Sequence, residues 1–303
     1  MLAPPAAPDA STIVPLPAAF DLRLTMAPLA HGTGDPTIRI ERQAVWRGTR
    51  TRRGPATVLL QEGADGLAVS AWGPGAHDAL AGAPELAGLH DDPAALIARH
   101  PVLGELQRRY PGVRLPRSGA PFEALLPAIC EQKITGAEAR RVYRSILRRY
   151  GEPAPGPGGL WLAPDPSVLA DVPYFAFHPL GLERRRAEVI RRAARTSVEL
   201  ADRSPDEMVA ALARLAGIGP WTVAEVRRVA LGDPDAVSVG DYHVPSMVAY
   251  ALAGERRADD ARMLELLKPY AGQRGRVQRL LEVGAVFPAR RGPRLAPRRI
   301  EAL

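Results

Sequence analysis

The spacing of apolar positions divides the chain into a β-rich first part and a helical second part. Three β-prone runs, TIRIERQAVW, ATVLLQEG and GLAVSAW, lie between residues 13 and 72 and are separated by glycine and aspartate, as strands joined by turns are. The segment DDPAALIARHPVLGELQRRY then has helical spacing. We therefore expect residues 13–118 to form a small α+β domain with a β-sheet.

From residue 119 the apolar period is helical throughout. Thr135 and Glu138 in TGAE have the spacing of a capping box, which predicts a helix start, and Gly151 is expected to close that helix. The segment LERRRAEVIRRAA predicts a further helix. We expect an all-α domain over residues 119–287, which makes the whole chain α+β. The helix before the capping box is marked by one apolar face: Phe122, Leu125, Leu126, Ile129 and Cys130.

The two ends of the chain differ in composition from the rest. Residues 1–12 are rich in proline and alanine and are expected to be disordered, and residues 288–303 form a basic tail rich in proline and arginine. The start lacks a positive segment followed by an apolar run, so no secretory signal is predicted. No apolar run is long enough to span a bilayer. We expect a cytoplasmic protein that does not contact a membrane.

Charge and cysteine content narrow the class of partner and cofactor. The 40 lysine and arginine residues exceed the 33 acidic ones and give a net charge of +7, which favours a polyanion such as nucleic acid. Only Lys133 and Lys268 are lysines, a bias that GC-rich coding also produces. The single cysteine, Cys130, excludes an intrachain disulfide and a four-cysteine metal site. We expect no metal and no other cofactor.

The stretch LAGIGPWT, residues 215–222, places two glycines between two predicted helices. Ser204 is the expected N-cap of the first helix and Pro220 begins the second. Gly217 and Gly219 lack a Cβ, so their amides can approach another chain, and amides at a helix start bind anions such as a phosphodiester. A plain turn between antiparallel helices uses the same glycines, so this stretch alone leaves both interpretations open.

LAGIGPWT, followed by a turn and the single aspartate Asp241, resembles the helix-hairpin-helix DNA glycosylase superfamily. GIGPWT resembles the 3-methyladenine DNA glycosylase II branch most, and FEALLPAICEQKIT and LGLERRRAEVI resemble two further segments of it in the expected order. The resemblance covers residues 119–287. It implies a monomeric, nucleoid-associated enzyme of base excision repair, whose partner is double-stranded DNA containing damaged bases.

The resemblance implies that Asp241 is catalytic. It stands at or just before a predicted helix start, with Pro245 in the first turn, where peptide dipoles favour a carboxylate. A plain N-cap aspartate would stand there as well. An alkylated purine such as 3-methyladenine or 7-methylguanine leaves as a neutral base, so a general acid is dispensable. A carboxylate is then sufficient to stabilise the oxocarbenium-like sugar and to orient the attacking water.

Trp221, Glu225 and Tyr242 are predicted to line the base pocket. Relatives that also cleave the strand carry a Schiff-base lysine at the position of Trp221, so this protein resembles the monofunctional members; core packing of Trp221 is the alternative. Glu225 lies one helical turn further on the same face, where better-known relatives have an aromatic residue. Its carboxylate could attract a cationic base, bind an exocyclic amine or face solvent.

Lys133, in the loop EQKIT, corresponds to the residue that fills the gap left by a flipped base in the resembling family. Its stem could fill the gap while its ammonium reaches a phosphate; a solvated surface lysine is the alternative. The complete predicted DNA-binding set consists of Gln132, Lys133, Ile134, Gly217, Ile218, Gly219 and Thr222.

Two other functions stay open at this point. One is a helix-hairpin-helix DNA-binding module without catalysis, against which Asp241 and the surroundings of Trp221 argue. The other keeps the fold but acts on oxidised or deaminated bases. The missing lysine at position 221 weakens the oxidised-purine version in its strand-cleaving form.

Overall fold

The computed structural model describes residues 7–288, whose first part is built on a five-stranded antiparallel sheet. The strands lie in the spatial order β1-β5-β4-β3-β2. The run TIRIERQAVW, predicted as one strand, contains two, because Glu41 N donates to Ala44 O (2.8 Å) and closes a turn within it. The strands are β1 (Ala10–Val14), β2 (Ile38–Ile40), β3 (Ala44–Thr51), β4 (Gly54–Gly63) and β5 (Gly66–Trp72).

The start of the chain departs from the prediction. Residues 1–12 are expected to be disordered, yet Ala10–Thr12 lie in β1 and pair antiparallel with β5. Composition predicts only whether a segment is ordered by itself. The edge of β5 offers backbone hydrogen bonds that become available only once the sheet has folded, and these order β1. The expectation is therefore wrong for these three residues. Residues 1–6 and 289–303, which include most of the predicted tail, lie outside the described residues.

Helices make up most of the remaining structure. The two predicted capping boxes are present: Thr135 and Ser204 each accept a hydrogen bond from the backbone of the glutamate three residues on, and each glutamate bonds back. The helices are α1 (Leu22–Met26), α2 (Ala76–Ala81), α3 (Ala83–Leu86), α4 (Pro101–Arg109), α5 (Pro121–Glu131), α6 (Gly136–Tyr150), α7 (Pro166–Asp171), α8 (Arg184–Glu199), α9 (Pro205–Leu212), α10 (Pro220–Val226), α11 (Val244–Ala253), α12 (Asp260–Leu267) and α13 (Arg274–Val283), with a short pair β6 (Glu152–Pro153) and β7 (Trp161–Leu162) after α6.

Three apolar clusters organise these elements. One lies between the sheet and α1–α3, a second joins α5, α6 and α8–α10, and a third joins α4 with α11–α13. The mixed α and β character is confirmed. Helix α4 lies before residue 118, yet its Leu103 and Leu106 pack with Val277 and Leu281 of α13, which lies after it. A boundary between two domains at residue 118 therefore stays a prediction.

A buried ion pair fixes α5 against the sheet. The Glu123 carboxylate accepts hydrogen bonds from Arg47 Nη2 (2.7 Å), Thr49 Oγ1 (3.0 Å) and the backbone N of Arg50 (2.8 Å). The Arg47 and Glu123 side chains are only 8% and 14% exposed, so each charge depends on the other for its stability inside the protein. The sheet therefore sets the position of α5 and of the loop that follows it.

A second buried arginine holds the other end of α5. Arg186 of α8 is buried, donates from Nη1 to the carbonyl O of Cys130 (2.7 Å), and pairs with Glu183. It thereby satisfies a carbonyl at the C-terminal end of α5 that has no partner in its own helix. Burial raises the pKa of the Cys130 thiol to about 12, so this cysteine is a neutral, unreactive core residue.

We expect Glu123→Gln to lower the free energy of unfolding by about 3 kcal/mol, because it leaves the buried Arg47 charge without a carboxylate. The matched control is Glu41→Gln, which breaks the exposed ion pair with Arg39 and should cost less than about 1 kcal/mol. Urea unfolding followed by circular dichroism measures both. Equal losses for the two variants would show that the Glu123 ion pair does not hold α5 to the sheet.

Candidate active site

The predicted hairpin connects α9 to α10 and presents two free backbone amides. Gly217 adopts φ +96°, and a Cβ there would lie 2.4 Å from Val189 Cγ2, so the fold itself requires this glycine. Gly219 has an ordinary φ of −97° and nothing within 4 Å of its Cβ position. Within residues 7–288 neither amide donates to a protein acceptor. The two glycines therefore differ: the turn requires Gly217, whereas the position of Gly219 has open space where a side chain would be.

One glutamine joins the loop after α5 to this hairpin. Gln132 Nε2 donates to the carbonyl O of Gly217 (3.0 Å) and to Thr222 Oγ1 (2.9 Å). The structure thus brings together two segments that are far apart in sequence. The loop carries Lys133, which is exposed and adopts φ +57°, an uncommon conformation for a residue other than glycine. Ile134 beside it is half-buried.

Two of the predicted DNA-binding residues face the protein interior. Ile218 is 8% exposed and packs in the cluster around α5 and α8, and its N–H donates to the carbonyl O of Leu215 (3.0 Å). Thr222 is 2% exposed, and its hydroxyl is used by Gln132. Both were predicted to bind DNA, but the turn uses Ile218 as an apolar anchor and Thr222 as an internal polar contact. The prediction that these two side chains contact DNA directly is therefore corrected: both support the hairpin from inside the protein.

Asp241 connects the hairpin to α11. Its Oδ1 accepts from the backbone N of His243 (2.7 Å) and of Val244 (2.9 Å), which places it at the N-terminal end of that helix, as an N-cap aspartate would be. Its Oδ2 accepts from the indole Nε1 of Trp221 (3.2 Å). Trp221 is half-buried and uses its polar edge here, so it is not simply a core residue. The carboxylate is fixed at both oxygens and remains half-exposed.

Glu225 belongs to a buried polar network and does not simply face solvent. Its Oε1 accepts from Ser238 Oγ (2.5 Å) and Arg228 Nη1 (3.2 Å). Arg228 lies in a π-helical turn, Arg227–Leu231, that extends α10, and its Nη2 donates to Glu282 of α13 (2.7 Å). Ser238 is also bonded to Gln278 of α13.

The sequence interpretation missed most of this network. Arg228 follows Glu225 by three residues, a spacing that signals an ion pair on one helix. Nothing in the sequence links them to Gln278 and Glu282, which lie 40 residues after Ser238 and 54 after Arg228. Those contacts follow from how α13 packs.

The network shifts the proton affinities of its members. Burial raises the pKa of Glu225, although Arg228 and the Ser238 hydrogen bond act against the rise. Burial would also raise the pKa of Glu282, but Arg228 and Arg279 outweigh it and the pKa is lowered. The pKa of Arg228 is raised, because Glu282 and Glu225 overcome the opposing effect of its burial. Arg228 and Glu282 are thus ionised together, and Glu225 is the group that ionises least readily.

Tyr242 does not line a pocket. It is 89% exposed, and its ring meets that of its neighbour His243 edge-on, at 4.8 Å between centroids. The turn that directs Asp241 toward Trp221 leaves the next side chain outside, so this prediction is corrected. A groove of about 380 Å³ opens on a different face of α10, between Gly219, Val223 and Val237, and includes neither Asp241 nor Trp221.

The described part of the chain offers neither a metal centre nor a membrane span. Among residues 7–288 no three His, Cys, Asp or Glu side chains are grouped so that they could hold a metal ion. In the same range no helix has the length and apolar character needed to cross a bilayer.

Comparison with known proteins defines the class. Residues 126–271 match the family described as HhH-GPD superfamily base excision DNA repair protein. This range contains the end of α5, the Gln132–Ile134 loop, the α9–α10 hairpin and Asp241. This segment, just under half of the chain, is thus assigned to that superfamily of base excision DNA repair proteins.

Two of the proteins that the chain resembles are named for 3-methyladenine. The chain is 23% identical over 146 residues to YfjP of Bacillus subtilis (strain 168), provisionally named a DNA-3-methyladenine glycosylase, covering 46% of this chain and 50% of YfjP. The 3-methyladenine DNA-glycosylase structure from Archaeoglobus fulgidus superposes with a TM-score of 0.74 at 21% identity, covering 90% of this chain and 98% of that one, which shows the fold.

A third relative has a different named substrate. The thymine/uracil-DNA glycosylase of Pyrobaculum aerophilum is 30% identical over 126 residues, covering 39% of this chain and 48% of that protein. The chain therefore spans about half the length of these two curated relatives.

We expect Gly217→Ala to lower the free energy of unfolding by roughly 1–3 kcal/mol, because alanine is strained at this φ and its Cβ would overlap Val189. Gly219→Ala is the matched control two residues away and should cost less than about 1 kcal/mol. Urea unfolding of both variants measures the difference. A Gly217→Ala protein as stable as the parent would contradict the turn geometry.

Proposed function

We propose that this protein is a monofunctional DNA glycosylase that excises alkylated purines of the 3-methyladenine and 7-methylguanine type from double-stranded DNA. The observation that carries the proposal is the Asp241 carboxylate, held by the Trp221 indole and two backbone amides beside a hairpin with unoccupied N–H groups. The superfamily match and the two relatives named for 3-methyladenine support it. The proposed form is a cytoplasmic, nucleoid-associated monomer that needs no cofactor.

The proposed reaction needs one carboxylate and one water. An alkylated purine carries positive charge in the nucleoside and departs neutral, so bond breaking leaves the positive charge on the sugar. Asp241, fixed in place before the reaction begins, stabilises that charge and orients the attacking water. Trp221 has no amine with which to form a Schiff base with the sugar. The proposed products are a free base and an intact strand with an abasic site.

DNA would be held by backbone and side-chain donors on one side of the molecule. The free amides of Gly217 and Gly219 suit a phosphate, and Gln132 keeps the Lys133 loop beside them. Ile134, half-buried in the same loop, is the second candidate for filling the gap. An enzyme that acts on a paired base must first extrude it from the stack, so a filling residue next to the phosphate site fits the proposed sequence of events.

A panel of duplexes, each with one modified base, tests the proposal by counting abasic sites. We expect release of cationic alkylated purines and no strand break until alkali is added. An adduct trapped by borohydride would contradict the monofunctional mechanism. The similarity to a thymine/uracil-DNA glycosylase favours deaminated bases as a second candidate, so uracil and mispaired thymine belong in the panel. Tight binding with no base release would leave a non-catalytic DNA-binding module.

Asp241→Asn should reduce the rate of base release by roughly a hundred- to a thousandfold, because the charge opposite the oxocarbenium ion is lost. The asparagine can still accept from His243 N and Val244 N, but its NH₂ group would face the Trp221 donor. Trp221→Phe is therefore the control for that lost hydrogen bond, with an expected loss of about tenfold. Single-turnover release of 7-methylguanine measures both variants. Near-parental release by the Asn variant would remove Asp241 from catalysis.

Lys133→Ala should slow excision from a fully paired duplex by about tenfold, because the stack around the extruded base loses its filler. The same variant should lose less than about threefold on a lesion opposite a gap, where little stacking is broken. Lys268→Ala removes the chain's other lysine, also exposed, and controls for lost charge. Equal losses on both substrates, relieved by salt, would assign Lys133 to a phosphate and leave Ile134 as the filler.

A further inference from the structure

Glu225 is on the helix whose Trp221 indole holds the proposed catalytic aspartate. It stands four residues after Trp221 on α10, so both side chains project from the same face of the helix. Ser238 contacts both residues: its hydroxyl donates to Glu225 Oε1 (2.5 Å), and its carbonyl O accepts from the backbone N of Asp241 (3.1 Å). The face of α10 that carries Glu225 thus also carries the indole that holds Asp241.

The two carboxylate oxygens of Glu225 have different surroundings. Oε1 accepts from both Ser238 and Arg228. Oε2 receives no hydrogen bond from any residue between 7 and 288, and the side chain is 26% exposed. An ionised carboxylate can accept about four hydrogen bonds. One oxygen is thus oriented by the protein, and the other is available to a ligand.

The charge of Glu225 is also incompletely balanced. Its ion-pair partner Arg228 makes two shorter contacts with Glu282, at 2.7 and 2.9 Å, than the 3.2 Å contact with Glu225. Burial raises the pKa of Glu225, and the negative charges of Glu282 and of Glu131 at the end of α5 add to the rise. The part of the rise that comes from these two carboxylates is negative potential, which also favours another positive charge close by.

We propose that Glu225 is a specificity-determining residue whose Oε2 contacts the positively charged ring of an extruded alkylated purine. The inference rests on the proposed function and adds the means by which a cationic base is distinguished from a neutral one of the same size. The attraction acts on the base before the bond breaks and orients it over Asp241. A neutral purine gains nothing from the charge, so the ratio of the two release rates reports on Glu225.

The test compares Glu225→Gln with the parent on two duplexes that differ in one base, cationic 7-methylguanine or neutral hypoxanthine. Glutamine can accept the Ser238 and Arg228 hydrogen bonds but carries no charge. We expect release of 7-methylguanine to fall about tenfold and release of hypoxanthine to change less than about twofold. Glu225→Asp, which keeps the charge on a shorter stem, should restore part of the ratio. Thermal unfolding confirms that each variant is folded.

Glu188→Gln is the matched control, since Glu188 is also half-buried and pairs with an arginine three residues on, but it lies on α8. Its release ratio should equal that of the parent. A folded Glu225→Gln protein with the parental ratio would overturn the inference and leave the proposed function intact. Selective loss of hypoxanthine release would overturn it too, because Glu225 would then be a proton donor. A parent protein that releases neither base would refute the proposed function and this inference with it.

Discussion

The buried guanidinium of Arg228 holds together the three segments on which the candidate site depends. It contacts Glu225 of α10, Ser238 before Asp241, and Glu282 of α13. A charge taken out of water destabilises the fold strongly unless it is paired and hydrogen-bonded, so these segments can be placed in few ways relative to one another. The position of Asp241 against Trp221 follows from that constraint, although Arg228 hydrogen-bonds to neither of them within residues 7–288.

The loop that carries Lys133 is held by the same kind of interaction on the other side of the hairpin. Arg186 binds the last part of α5, and Gln132 binds the hairpin. Both are polar side chains that satisfy backbone carbonyls, which apolar packing cannot do. Polar contacts of this kind are directional, so they fix the loop in orientation as well as in place. The elements proposed to meet DNA are thus ordered before any DNA arrives, which reduces the cost of binding.

The local signals in the sequence predicted much of this arrangement. Each of these signals predicts the structure of only a few residues, and the structure contains each predicted element. The signals are the capping boxes, the proline at position 220, the hairpin glycines and the aspartate after them. The errors concern what surrounds a residue. Ile218 and Thr222 are buried and Tyr242 is exposed because neighbouring elements cover or uncover them. The Gln278 and Glu282 contacts depend on helix packing, which no short window of sequence records.

The net charge of the molecule and the charge of the candidate site have opposite signs. The positive charge suits the binding of DNA, and the negative charge suits the contact with a bound base. The chain as a whole carries +7, which suits the phosphates of the proposed partner, whereas Asp241 and Glu225 are carboxylates that phosphates would repel. Both carboxylates are half-buried and oriented by hydrogen bonds from within. Recessed charges are screened less by salt than exposed ones, so they act mainly on a group that enters the site. In the proposed reaction an extruded cationic base enters the site, and the phosphates that flank it stay outside.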